Sequence, residues 1–255
     1  MCTLALYFQC FDRYPLLVAA NRDEHFDRPS EAPSLLNNRP KLIAGKDLSA
    51  GGTWLGVNEF GLMAGILNRR INNGVALPAT VARSRGLLCL ELLQLPSVAA
   101  AGRFVAAHDG RYNPFTIVFA GKDGACVAYN DDPKIIIRPL KPGLHVFSSA
   151  AEVDLGSAKA DRAHERFAAL ITDWGANGAE PQECLASLKN VLADHSLRDG
   201  SDDPGDAICV HRESSGTVSS SVIFLARARR RFETFHLSGA PCQNSFDASI
   251  TLALR

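Results

Sequence analysis

Short apolar runs separated by polar turns dominate the chain, and this pattern predicts strands joined by hairpins. The first two runs cover residues 2–9 (CTLALYFQ) and 16–20 (LLVAA), and the intervening CFDRYP suits a hairpin connection. The stretch from Asn21 to about Lys41 is polar and is interrupted by three prolines, so we expect a long loop there.

Later apolar segments predict further strands and three helices. Strands are expected at residues 53–58, 62–68, 115–120, 125–129, 134–138, 144–147, 206–212, 217–226 and 231–236. Helical spacing is found at residues 80–95, 157–174 and 181–194. Because runs of strands are separated by blocks of helix, the pattern favours an α+β layered domain over a doubly wound sheet. No break in composition marks a linker, so residues 1–255 are expected to form a single domain.

Charge and hydropathy narrow the classes of function. The 27 Lys and Arg residues cancel the 27 Asp and Glu residues, which argues against a nucleic-acid partner. No segment reaches the roughly 18 apolar residues of a membrane span, and the N-terminus lacks the pattern of a signal peptide. We therefore expect a cytoplasmic protein that takes a small-molecule ligand or substrate. The sequence leaves the oligomeric state open.

The spacing of cysteine and histidine gives no metal motif. None of the seven cysteines forms a CxxC pair, and the seven histidines show no ligand spacing. Several cysteines lie in apolar runs, as expected of small buried side chains in a reducing compartment. We therefore expect no metal site and no bound cofactor.

Cys2 differs from the other cysteines because it follows Met1, which is normally removed when the next residue is small. Removal would leave a thiol and a free α-amine on one residue. Their reference pKa values are about 8.5 and about 7.7–8.0, so the amine can accept the thiol proton near neutral pH. One residue would then supply both nucleophile and base. The alternative, which position alone favours, is that Cys2 is an ordinary second residue.

A polar tetrapeptide, Asn21-Arg22-Asp23-Glu24, stands where the second predicted strand ends. If the first hairpin brings it to Cys2, Asp23 is suited to hold the ammonium group and Arg22 to lower the pKa of the thiol. The alternative is a solvated turn with a surface ion pair.

A third segment, GGTWLGVN at residues 51–58, is rich in glycine and therefore permits close approach of the backbone. The apolar strand that follows it ends at Asn68. The Asn68 amide is suited to donate a hydrogen bond to an oxyanion. The equally simple alternative is an asparagine that caps a turn.

Together these segments resemble a known family. MCTLAL, AANRDE, AGKD, GGTWLGVNEFGLMAGILNRR and GTVSSSVIFL are similar to the NRDE family, also called the transport-and-Golgi-organization family. More distantly, the NEFGLMAGILN segment resembles the choloylglycine-hydrolase and penicillin-acylase branch of the N-terminal-nucleophile (Ntn) hydrolases. The resemblance implies an α+β fold of the Ntn-hydrolase type, a four-layer αββα sandwich of two mainly antiparallel sheets.

The resemblance also implies roles for single residues. It makes Cys2 the nucleophile, Asp23 the acid that binds the amine and Asn68 an oxyanion donor. An Arg of the hydrolase branch is replaced by Ala20, so Arg22 would have to substitute for it.

Three further residues are expected to contact the substrate, namely Asn21, Trp54 and Ser149. Ser149 stands where the family usually has Asn, and its hydroxyl can still donate one hydrogen bond, from a shorter side chain. Val218 stands where the family usually has Arg, which removes a fixed positive charge.

Two functions follow from these observations. The first is an Ntn-type cysteine amidohydrolase or acyl-transfer protein that uses Cys2 on a small amide or thioester. The second is a non-catalytic binding or trafficking protein for haem, lipid or acyl-CoA on the same scaffold. In the second, Cys2 is a haem or metal ligand or a structural residue, and His25 is the histidine nearest the tetrapeptide.

Overall fold

The first strand of the protein is apolar on both faces because it is buried on both faces. In β1 (Thr3–Phe8), Leu4 and Leu6 face one hydrophobic core, whereas Ala5 and Tyr7 face another. Side chains alternate between the two faces of a strand, so a sheet buried on both sides needs such a continuous apolar run.

A computed structural model describes residues 2–36, 39–70, 82–108, 111–131, 134–149, 153, 157–197 and 201–255. The strands after β1 are β2 (Leu16–His25), β3 (Ser30–Leu36), β4 (Leu42–Asp47), β5 (Leu55–Asn58), β6 (Met63–Asn68), β7 (Phe115–Gly121), β8 (Gly124–Asp131), β9 (Lys134–Pro139), β10 (Gly143–Phe147), β11 (Ser215–Ala226), β12 (Arg231–Ser238) and β13 (Ile250–Ala253). The helices are α1 (Arg85–Leu92), α2 (Val98–Ala106), α3 (Ala158–Trp174) and α4 (Pro181–Leu192).

The strands form two antiparallel sheets. One has six strands in the order β10-β1-β2-β11-β12-β13, and the other has seven in the order β3-β4-β5-β6-β7-β8-β9. The core between the sheets contains Leu4, Val18, Met63, Val118 and Ile223.

Helices cover the outer face of each sheet. Phe167 of α3 and Leu188 of α4 pack against the six-stranded sheet, and Leu88 of α1 and Val105 of α2 pack against the seven-stranded sheet. The layers are therefore helix, sheet, sheet and helix, which confirms the αββα sandwich. Among the described residues, no helix combines the length and the apolar composition that a membrane span requires.

Most predicted elements are present with shifted ends, but several predictions were wrong. The helix expected over 80–95 is shorter, and residues 80 and 81 lie outside the described residues. The strand expected over 206–212 is instead a 3₁₀ turn at Pro204–Asp206 followed by an irregular segment. Elements β4, α2 and β13 were not predicted.

The largest correction concerns the polar stretch that begins at Asn21. It is not a loop, because β2 continues to His25 and β3 follows. The tetrapeptide therefore lies inside a strand, paired with β11 on one side. Polar residues are tolerated there because buried partners satisfy them, as described below.

Candidate functional site

The candidate site lies where three neighbouring strands end together. Thr3 of β1 pairs with Asn21 of β2, and Leu4 pairs with Phe147 of β10. Continuing these registers past the end of β1 places Cys2 beside Arg22 on one side and Ser149 on the other. The hairpin predicted from the sequence thus brings the tetrapeptide to the second residue.

The Cys2 side chain is half-buried against the core between the sheets. Its Sγ atom lies 3.9 Å from the backbone carbonyl oxygen of Asp23. The thiol lines a cavity of about 20 Å³, which is room for about one water molecule. Burial raises the pKa of the Cys2 thiol, and the Asp23 carboxylate adds to this effect. This is opposite to the lowering that was expected from Arg22.

Arg22 and Trp54 line the same cavity as Cys2. The Arg22 guanidinium carbon lies 4.4 Å from the centre of a Trp54 ring, and one guanidinium nitrogen donates a hydrogen bond to Ser30 Oγ at 3.1 Å. Burial lowers the pKa of Arg22, but an arginine remains charged at physiological pH. The stacked ring therefore holds a cation beside the thiol, in a cation–π contact.

Asp23 is held by two buried partners. Its Oδ2 atom accepts a hydrogen bond from Lys159 Nζ at 2.7 Å, and its Oδ1 atom accepts one from Thr217 Oγ1 at 2.7 Å. The Asp23 and Lys159 side chains are 3% and 1% exposed, so the two form a buried ion pair that solvent hardly reaches. The carboxylate is therefore fixed in position.

Side chains of β2 point alternately to the two faces of the sheet, so the tetrapeptide residues lie on different faces. Arg22 points toward the cavity at Cys2, whereas Asn21 and Asp23 face the side covered by helices. A β-bulge in β11 between Thr217 and Ser219 shifts the register opposite this point. The bulge re-aims the Thr217 side chain, as bulges beside functional sites commonly do.

Asn68 ends β6 and lines a polar cleft of about 230 Å³. Asp23, Glu24 and His25 line the same cleft, together with Arg70, Arg212 and backbone from the segment that precedes β11. Cys2 lines the smaller cavity instead, and Asp23, which lines the cleft, contacts the Cys2 sulfur through its backbone carbonyl oxygen. The structure thus groups Asn68 with Asp23, and Cys2 with Arg22 and Trp54.

Asn21 lines the Cys2 cavity, but its side-chain polar atoms are hydrogen-bonded within the protein, and its predicted contact with substrate stays a prediction. Its Nδ2 atom donates to the carbonyl oxygens of Leu192 and Ile208, both at 2.9 Å, and its Oδ1 atom accepts from Ser220 Oγ at 2.6 Å. The residue is 1% exposed. Asn21 therefore joins the end of α4 to the sheet.

Ser149 lies at the edge of the site and is buried. Its carbonyl oxygen accepts a hydrogen bond from the backbone N–H of Arg70 at 2.8 Å, which ties the end of β10 to the end of β6. The serine thus connects the two sheets beside Cys2. Val218 is the bulged residue of β11, and its carbonyl oxygen accepts from the backbone N–H of Gly239 at 2.8 Å.

Lys159 and Thr217 were missed by the sequence reasoning. Lys159 stands in the first turn of an amphipathic helix, where a lysine is normally solvated. It places a positive charge close to Asp23, and so the site has a fixed cation although Val218 replaces the family's arginine. The only signal in the sequence was an apolar-face position occupied by a lysine, between Ala158 and Ala160.

Comparison with known proteins gives a family and a fold. The family model described as Transport and Golgi organisation 2 matches residues 1–235. The mouse Transport and Golgi organization 2 homolog is 31% identical over 148 residues, which are 54% of this chain and 51% of the mouse protein. The bovine homolog is 32% identical over 115 residues, which are 42% of this chain and 39% of the bovine protein. The match thus spans about half the length of these relatives or less.

Solved structures of Ntn hydrolases share the fold. Penicillin V acylase from Agrobacterium tumefaciens superposes with a TM-score of 0.62 at 15% identity, covering 93% of this chain and 83% of that enzyme. The C2A mutant of conjugated bile acid hydrolase from Clostridium perfringens superposes with a TM-score of 0.57 at 12% identity, covering 100% of this chain and 98% of that enzyme. The Caenorhabditis elegans ortholog of N-acylethanolamine-hydrolyzing acid amidase superposes with a TM-score of 0.55 at 14% identity, covering 88% of this chain and 92% of that protein.

Proposed function

This chain belongs to the Transport and Golgi organisation 2 family, and we propose that it is an Ntn-type amidohydrolase or acyl-transfer protein whose nucleophile is Cys2. The observation that carries the proposal is the position of Cys2 at the end of a central strand, with its Sγ atom 3.9 Å from the backbone carbonyl oxygen of Asp23, a residue whose carboxylate is fixed by Lys159 and Thr217. The neighbours of the same fold include proteins named as a bile acid hydrolase and an acid amidase, which supports an amide or related acyl bond as the target.

The proposed reaction begins once Met1 has been removed. The α-amine of Cys2 takes the thiol proton as Sγ attacks the carbonyl carbon of the substrate. The tetrahedral intermediate collapses to a thioester on Sγ, and the ammonium group returns the proton to the leaving amine or thiol. Water or an acceptor amine then attacks the thioester and regenerates the thiol. A raised thiol pKa is compatible with this route because the proton moves during the attack, so no resident thiolate is required.

Three side chains are assigned supporting roles. Asp23 orients the ammonium group, and its own charge is kept in place by Lys159. Asn68 donates its amide to the oxyanion, together with a backbone N–H, from the polar cleft that Asp23 also lines. Arg22, stacked on Trp54, stabilises negative charge that develops on the sulfur.

The cleft indicates the class of substrate. Its volume of about 230 Å³ lies below the roughly 300–1,000 Å³ of a typical drug-sized ligand site. Its side chains are polar, and Arg70 and Arg212 both line it. A short acyl group or a small polar leaving group fits this cleft better than a large apolar one. We therefore propose a small, polar or anionic amide or thioester.

The test is turnover by the purified, Met1-processed protein. Short-chain N-acyl amino acids and short-chain acyl thioesters are supplied, and amine or thiol release is measured for wild type, Cys2→Ala and Cys2→Ser. We expect release by wild type only, with Cys10→Ser as a control that keeps wild-type activity because Cys10 lies at the other end of β1. Equal release by wild type and Cys2→Ala would refute a role for the thiol.

A second function is favoured by the narrow space at the thiol. A cavity of about 20 Å³ leaves room for about one water molecule at the thiol, and a raised pKa disfavours the thiolate. Both suit a protein without turnover, which would bind haem, lipid or acyl-CoA outside this cavity. Haem titration of wild type, Cys2→Ala and His25→Ala distinguishes the haem version, since His25 lines the polar cleft. Absence of a Soret shift, or the same shift in all three proteins, would exclude haem ligation by these residues.

A further inference from the structure

Four side chains from three separate segments meet at one end of the six-stranded sheet, where β11 begins and β12 ends. His195 follows the end of α4, Cys209 and His211 precede β11, and Cys242 follows β12. The ligand atoms of His195, His211 and Cys242 all lie within 4.8 Å of one another. The Cys209 sulfur contacts both His211 and Cys242. Sequence spacing had predicted no metal site because three separate segments supply these residues.

The distances among three of these side chains match those of a tetrahedral site. Cys209 Sγ lies 3.9 Å from Cys242 Sγ and 3.5 Å from His211 Nε2, and Cys242 Sγ lies 3.3 Å from His211 Nε2. With Zn–S bonds of about 2.3 Å and Zn–N bonds of about 2.0–2.1 Å, a tetrahedral zinc site has about 3.8 Å between its sulfurs and about 3.5 Å between sulfur and nitrogen. Cys209, His211 and Cys242 thus have the mutual spacing of zinc ligands, and His195 presents a ligand atom within 4.8 Å of those of His211 and Cys242.

We propose that His195, Cys209, His211 and Cys242 form a Cys₂His₂ binding site for Zn²⁺. Two thiolates and two imidazoles are the donors that favour zinc over the hard cations magnesium and calcium. The rings of His195 and His211 lie with their centroids 5.8 Å apart and their planes at 73°, so they are not stacked and each is free to present a nitrogen to a common ion. Cys209 is buried, whereas the other three side chains are exposed and leave a path for the ion to enter.

Four protein ligands close the coordination sphere, so the site is structural rather than catalytic. Zinc here would join the segment after α4 to the segments flanking β11 and β12. The connection reaches the candidate site through Val210, which lies between two of the ligands. Val210 donates its backbone N–H to Thr217 Oγ1 at 2.9 Å, and Thr217 in turn donates to Asp23. The metal site therefore stabilises the partner of a proposed catalytic residue.

The competing chemistry is a disulfide between Cys209 and Cys242, whose sulfurs are close enough to react after a small movement. That bond would need an external oxidant and would give no role to the two histidines. Zinc uses all four side chains without a change in oxidation state, and we therefore favour it.

The experiment uses the full-length protein, reduced, stripped of metal with a chelator and then supplied with Zn²⁺ or Co²⁺. We expect one zinc per chain after gel filtration, measured by plasma mass spectrometry. With Co²⁺ we expect the intense visible bands of a tetrahedral ion and a thiolate-to-cobalt charge-transfer band. Loss of an outer-shell partner costs about 10- to 100-fold in metal affinity, so loss of a direct ligand in Cys242→Ser or His211→Gln is expected to weaken zinc binding by at least about 100-fold.

Cys242→Ser and His195→Gln alter exposed positions, so both are expected to fold and keep the test interpretable. Cys126→Ser and His164→Gln are matched controls that should bind zinc as wild type does, because both lie outside the cluster. Reduced wild-type protein that binds no zinc, whether or not Cys209 and Cys242 form a disulfide in air, would overturn the proposal. Equal zinc binding by wild type and the ligand variants would overturn it as well.

Discussion

Lys159 Nζ lies 2.7 Å from Asp23 Oδ2, and both side chains are almost completely excluded from water. The pair joins the first turn of α3 to β2, at the point where β2 pairs with β11. A buried ion pair is costly to desolvate and is rarely retained for stability alone. Its position beside Cys2 is the reason we assign it to function.

Removing one partner of this pair should destabilise the protein strongly. Lys159→Met leaves the Asp23 charge buried beside an apolar chain, and we expect a loss of about 3–5 kcal/mol in the free energy of unfolding. Urea denaturation measures this. The double variant Asp23→Asn/Lys159→Met should lose less than Lys159→Met alone, because no charge is left buried. Lys122→Met, in an exposed pair with Asp123, is the control and should change stability by at most about 1 kcal/mol. Equal effects in both lysine variants would contradict the assigned burial.

Asn21 and Asn68 should separate stability from activity. Asn21→Ala removes three buried hydrogen bonds, and we expect it to cost about 2–5 kcal/mol in the free energy of unfolding. Asn68→Ala alters an exposed side chain and should change stability by less than about 0.5 kcal/mol. For the turnover rate we expect the larger loss in Asn68→Ala, because removing one oxyanion donor lowers the rate by about 100- to 1,000-fold. Thermal unfolding and turnover of both variants test this, and a fully active Asn68→Ala would exclude it as an oxyanion donor.

Two glycines should respond to alanine in opposite directions. A Cβ at Gly52 would lie 2.2 Å from the carbonyl carbon of Gly86, so the segment GGTW and the start of α1 would have to separate. A Cβ at Gly102, inside α2, would meet nothing within 4 Å. We expect Gly52→Ala to lower the unfolding midpoint, and Gly102→Ala to raise stability by roughly 0.5–1 kcal/mol. Calorimetry measures both, and a neutral Gly52→Ala would show that the close packing is not required.

The reactivity of Cys2 should depend on pH in a way that reflects burial. Because burial raises its thiol pKa, a smaller fraction is thiolate at a given pH in the folded protein than in the unfolded chain. Alkylation of Cys2 by iodoacetamide should therefore reach half of its maximal rate at a higher pH in native protein than in urea, where the reference value is about 8.5. Peptide-resolved mass spectrometry from about pH 7 to about pH 11 measures both curves. Alkylation of the native thiol at a lower pH than in urea would mean that the charge of Arg22 lowers the thiol pKa by more than burial raises it.

Much of the fold was predictable because apolar residues recur in the sequence at the spacing of strands or of amphipathic helices. Strands such as β1 and β7 and the helix α3 lie close to their expected positions. The polar part of β2 was read as a loop because nothing in its local sequence indicates the buried hydrogen-bond partners that it receives from α3, α4 and β11. Helix α2 was missed because Val98–Ala106 is rich in alanine and has few large apolar residues to mark its face.

The candidate site was predictable only in part. The positions of Cys2, Asp23 and Asn68 followed from motifs that resemble a family, and their roles and the single domain over 1–255 stay predictions. Lys159 was not predictable, because its contact with Asp23 spans 136 residues of sequence. The cluster around Cys209 was invisible for the same reason, since tertiary contacts rather than spacing bring its members together.

Mapping the acyl group on the protein tests the central claim most directly. Native protein is mixed with a short-chain acyl thioester, quenched in acid within one turnover and digested for mass spectrometry. We expect an N-terminal peptide that begins at Cys2 and carries the acyl group on that residue, and no such adduct in Cys2→Ala. A peptide that retains Met1 in all molecules, or acylation that is equal in wild type and Cys2→Ala, would contradict an N-terminal nucleophile.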